Sequence, residues 1–70
     1  MQENYRRPVA AGLPGETLEF ESLTEAARWL FKYLHNGEEG TSRQVAGLEG
    51  NIRAAAIKGG TSHGIDWILI

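Results

Sequence analysis

The feature that most limits this chain is the absence of cysteine from only 70 residues. A domain of that length buries about 60% of the surface its unfolded chain exposes. With no disulfide to restrict the unfolded state and no thiolate for zinc, apolar burial has to carry the fold. Large side chains such as Trp29, Phe31 and Tyr33 are therefore expected mainly in the core. A ligand pocket of a few hundred cubic ångströms is hard to enclose at this size, which favours a binding or regulatory module over an enzyme. The lack of disulfides fits a reducing compartment, so a cytoplasmic location is expected. No apolar run approaches the roughly 20 residues of a membrane span. The opening MQENYRRPVAAGLPGE also lacks the apolar core of a secretion signal.

Residues 1–15 hold both prolines and two glycines and read as an irregular lead-in, with a short extended piece near Val9. A single domain is expected over 16–70. Thr17-Leu18-Glu19-Phe20-Glu21 alternates polar and apolar, the period of a half-buried strand. Ser22 with Glu25 three positions on forms a capping-box pattern. Leu23, Ala26, Ala27, Leu30 and Leu34 then recur at helical spacing. His35-Asn36-Gly37 ends that helix, with Gly37 suited to the left-handed position. Thr41 with Gln44 is a second box, opening a short helix that Gly47 weakens and Gly50 stops. Asn51 then caps a third helix over 52–58, ended by Gly59-Gly60. Ile65-Asp66-Trp67-Ile68-Leu69-Ile70 reads as a closing strand. The expectation is an α+β fold: three short helices packed on a two-stranded antiparallel sheet, the helices covering a ribbon that is marginal alone.

Several pieces occur in a suggestive order: Phe20-Glu21-Ser22, then Glu25-Ala26-Ala27, then Asn51-Ile52 through Lys58-Gly59, then Gly64 with Trp67 close behind. This resembles the nuclease-associated modular DNA-binding domains, including the intron-encoded nuclease repeat, over residues 17–69. The resemblance implies a helix-turn-helix-like unit of phage or mobile-element type, with the helix from Asn51 against double-stranded DNA. It also implies Arg53 and Lys58 as the DNA-facing residues. The stretch from Phe31 to Gly50 is longer than the short turn of that family and has room for the extra helix at 42–48. The catalytic domain that such modules accompany is not part of this chain, so no nuclease activity follows.

Charge bears on that implication. The formal net charge is −2, which gives no global attraction to nucleic acid. The excess acid belongs to residues 1–40, with seven acidic against four basic side chains, whereas residues 41–70 hold three basic against two acidic. Asn51 suits an adenine edge, and an exposed helix start offers N–H groups to phosphate. Arg43 and Gln44 at the preceding helix start could serve likewise. The nucleic-acid candidates are thus Arg43, Gln44, Asn51, Arg53 and Lys58. Simple capping and a solvated helix face are the ordinary roles of such residues.

A second class is a protein-binding regulator or inhibitor on the same scaffold. It would be phage-encoded, for example against a nucleic-acid-binding host defence protein. Glu38 and Glu39 would then meet a basic partner, with Trp29 as the aromatic anchor. Either reading accommodates a homodimer. His35 and His63 have no helical ligand spacing to another His or Cys, and no phosphate-loop sequence is present. No metal, cofactor or catalytic residue is assigned.

Overall fold

In a computed structural model, which describes residues 7–70, the chain runs β1 (Val9–Leu13), β2 (Glu16–Phe20), α1 (Leu23–Leu34), α2 (Ser42–Lys58), β3 (Thr61–Ser62) and β4 (Ile65–Leu69). The strands form one antiparallel sheet in the order β2-β1-β4-β3. The expected three helices on a two-stranded sheet are therefore corrected to two helices on four strands.

Two physical reasons account for the difference. The first is β1, which belongs to the supposed lead-in yet occupies an inner sheet position between β2 and β4. Its sequence, VAAGL, has no polar alternation because Val9, Ala10 and Ala11 are all buried. A two-residue Pro14-Gly15 turn, with Gly15 at φ +82°, returns the chain into β2 with Leu13 opposite Glu16. The pairing extends past the strand ends, where Ile70 N–H donates to the Pro8 carbonyl at 3.0 Å.

The second reason is α2, which continues through Gly47, Gly50 and Asn51 as a single 17-residue helix. Two interior glycines cost about 2 kcal/mol relative to alanine. Val45, Ile52 and Ala55 are buried and Leu48 packs against them, at spacings of three and four that keep phase across Gly50. Burying several such side chains outweighs that cost. Asn51 is accordingly not a cap. The start of α2 is Thr41, whose Oγ1 accepts from Gln44 N–H at 3.2 Å while Gln44 Oε1 accepts from Thr41 N–H at 2.9 Å. Its end is Gly59 in the left-handed conformation, with Gly60 N–H donating to the Ala55 carbonyl at 2.8 Å. Helix α1 starts at Ser22, whose Oγ accepts from Glu25 N–H, and exits through Asn36 and Gly37, both at positive φ. His63 and Gly64, also at positive φ, make the two-residue turn between β3 and β4.

Both helices lie on one face of the sheet. Val9 and Ala11, with Ile65 and Trp67, meet Leu23, Ala27, Leu30 and Ile52 in the core. Trp67 is almost fully buried. Its Nε1–H donates to the Ser62 carbonyl at 3.2 Å, and its ring meets Trp29 edge-on at 6.4 Å.

Candidate nucleic-acid interface

The fusion of two expected helices into one decides where the candidate residues fall. At about 100° per residue, Arg43, Gln44, Gly47, Gly50, Asn51, Ala54 and Lys58 lie within roughly 120° of the α2 circumference. All seven are exposed. The stripe therefore contains two cations, two amides and three very small residues. Glu49, the acid of this helix, lies on the opposite flank. Four of the five candidates read from the sequence thus share one surface, although Asn51 reaches it from mid-helix rather than from a helix start.

Arg53 does not join them. It sits about 120° round from the centre of the stripe, half-buried and engaged in an interaction with the rest of the chain. Of the expected pair Arg53 and Lys58, the stripe holds Lys58, and its two cations are Arg43 and Lys58, at its two ends. These are separated by about 22 Å of helix rise. Gln44 and Asn51, two turns apart, are about 10.5 Å apart along the axis, close to three base-pair steps.

One side of the stripe borders a shallow cleft of about 550 Å³ shared with Leu34, His35 and His63. The His35 ring stacks on Phe31 at 4.0 Å, and its Nδ1 lies 3.0 Å from the Phe31 carbonyl. His63 Nδ1 is 3.0 Å from Ser62 Oγ. Neither histidine was assigned to an interface from the sequence. His35 reaches the cleft from the end of α1, which packs on α2, and His63 from the turn after β3, which also contacts α2. Among the described residues no three His, Cys, Asp or Glu side chains gather at metal-binding spacing.

Between the helices, a groove of about 500 Å³ is lined by Arg28 and Lys32 of α1, Glu39 and Gly40 of the connecting loop, and Glu49 of α2. Lys32 Nζ and Glu39 Oε2 stand 4.0 Å apart, and both side chains are exposed, so the pair adds little stability. Glu38 is exposed in the same loop. Trp29, the supposed aromatic anchor beside these acids, is half-buried and stacks on Tyr33 at 4.9 Å. It also lies 5.5 Å from Phe20. Core packing therefore accounts for Trp29, and Tyr33 is the aromatic that α1 leaves exposed.

Charge is distributed by layer. The helices and their connecting loop, residues 23–58, carry five basic and four acidic side chains. The described sheet segments, residues 7–22 and 59–70, carry one basic and four acidic. Among the described residues the acid excess thus belongs to the sheet segments rather than to the helices.

No helix among the described residues is long and apolar enough to cross a membrane. No protein-family model matches the chain, and no curated protein or solved structure matches it.

Proposed function

We propose that this chain is a small DNA-binding module of the phage or mobile-element type that its resemblance implies. It acts in the cytoplasm without catalysis of its own, and α2 is its recognition helix. The observation that carries the reading is the single exposed stripe of α2, with Arg43, Gln44, Asn51 and Lys58 on one face and no carboxylate among them. Gly47, Gly50 and Ala54 keep the centre of the stripe low, so the helix backbone can approach the floor of a major groove about 12 Å wide. Asn51 presents an amide suited to an adenine edge, worth about 1–3 kcal/mol of discrimination when well placed, while Gln44, its Oε1 held by Thr41 N–H, has its Nε2–H2 left to donate to a base acceptor. Arg43 and Lys58, at the ends, meet phosphates and set the register.

Two phosphate contacts give a slope of log affinity against log salt of about −1.8, or roughly ten-fold weakening between about 50 and 200 mM salt. A homodimer presenting two stripes doubles that slope. The test is fluorescence anisotropy with duplexes selected from a random pool. Arg43→Ala and Lys58→Ala are expected to weaken all duplexes alike and each to reduce the slope by about 0.9. Gln44→Ala and Asn51→Ala are expected to relax sequence preference, and Arg53→Ala to leave the affinity of the folded protein unchanged. Binding that survives all four stripe substitutions, or is absent at low salt, overturns the reading.

A further inference from the structure

The face of the sheet that the helices leave uncovered has its own composition. Strand alternation and register align Glu19, Ala10 and Ile68 in one row across β2, β1 and β4. Thr17, Gly12 and Asp66 form the next row, with Thr61 of β3 beside Asp66. Glu21 and Ile70 continue the same face just beyond the strand ends. Ile68 is 55% exposed and Ile70 54%. Glu19, Glu21 and Asp66 are exposed as well; no Lys or Arg occupies a strand position pointing this way among the described residues, and at the edge of the face the Arg7 guanidinium donates to the Ile70 carbonyl at 3.3 Å, leaving three carboxylates against one cation.

The shape of this face is as specific as its charge. The inner strand β1 contributes only Ala10 and Gly12, so the surface forms a trough along β1 between the side chains of β2 and β4. A Cβ added at Gly12 would stand 3.3 Å from the Asp66 Cβ, tight enough that Asp66 would have to shift. Apolar groups lie along one wall and carboxylates on both.

Charge selects the occupant. A second copy stacked face to face, at about 10 Å, opposes carboxylate to carboxylate. Nucleic acid and anionic lipid are repelled by the same groups. A cationic partner is attracted, and one with an apolar stripe also covers Ile68 and Ile70. We propose that the open sheet face docks a basic amphipathic helix of a partner protein, its apolar side on Ile68 and Ile70 and its Lys or Arg residues against Glu19, Glu21 and Asp66. This surface uses no residue of the α2 stripe and stands whether or not the stripe binds DNA.

The probe is a labelled helical peptide of leucine and lysine with one apolar face, and its control replaces every lysine by glutamate. Anisotropy is expected to show saturable binding of the lysine peptide at low salt and none of the control. Amide shifts in the isotope-labelled protein are expected to centre on Ala10, Gly12, Glu19, Asp66 and Ile68. Ile68→Ser and the double variant Glu19→Lys with Asp66→Lys each weaken binding by about ten-fold or more. Arg43→Ala with Lys58→Ala leaves it unchanged. Should one sheet variant fail to fold by circular dichroism, the other decides. Failure of the lysine peptide to bind, shifts confined to the helices, or wild-type affinity in a folded sheet variant overturns the proposal.

Discussion

Replacing Gly47 and Gly50 together by alanine is expected to stabilise the protein and, if α2 is the recognition helix proposed above, to weaken duplex binding at the same time. Both glycines lie inside the 17-residue α2 and are exposed. Neither has a positive φ, and a Cβ built at either meets nothing within 4 Å. The new methyl groups therefore cause no clash, and the effect reduces to helix propensity, about 1 kcal/mol at each site and about 2 together. Part of that gain arises from the narrower conformational range of the unfolded chain. For a domain of this size the melting temperature rises by roughly 8–16 °C. The assay is thermal melting by far-ultraviolet circular dichroism, with a urea titration in which the midpoint rises at constant slope. If the helix instead broke at Gly50, with that residue left-handed, alanine there would cost about 1–2 kcal/mol, offsetting the gain at Gly47, and the melting temperature would not rise. A fall, or no change, refutes the continuous helix. In the proposed complex the same two methyl groups would stand between the α2 backbone and the groove, so the proposal expects duplex affinity to drop although the fold is firmer.

Other substitutions probe the packing. Trp67→Ala empties the centre of the core and is expected to cost about 3–5 kcal/mol, much of the stability of so small a domain; an unchanged urea midpoint contradicts the burial of this ring. Gly40→Ala sets a Cβ 2.8 Å from Cγ of the buried Phe31 ring, and the overpacking is expected to lower stability by about 1–3 kcal/mol in the same titration. Gly15→Ala forces a methyl into a turn at φ +82° and costs about 1–2 kcal/mol, read as a lower melting temperature.

Elements whose signals are local were legible in the sequence. The alternation of Thr17–Glu21, the Ser22 start of α1, the Thr41–Gln44 box and the closing strand around Trp67 appear in the structure close to their expected bounds. Elements decided by tertiary context were not. In β1 the outward-facing Ala10, between its partners Glu19 and Ile68, is buried as the inward-facing Val9 and Ala11 are, which removes the period that marks a half-buried strand. The Pro14-Gly15 pair was a turn signal, but it opens a hairpin only if Val9–Leu13 is a strand. In α2 the glycines and Asn51 look like punctuation to a residue-by-residue reading. The phase of Val45, Leu48, Ile52 and Ala55, followed across them, shows one helix instead. The candidate site shares this pattern. Arg43, Gln44, Asn51 and Lys58 were identifiable by chemistry, whereas their common face, and the exclusion of Arg53 from it, required the continuous helix. The acidic open sheet could not be anticipated while only two strands were expected.

The central claim is that the exposed α2 stripe is the surface that meets duplex DNA. Its most direct test is an amide-shift titration of the isotope-labelled protein with a duplex selected from a random pool. The account predicts shifts concentrated at Arg43, Gln44, Gly47, Gly50, Asn51, Ala54 and Lys58, with Thr17, Glu19, Asp66 and Ile68 unmoved. Shifts centred on the sheet face or on α1, or an unchanged spectrum at low salt, contradict it.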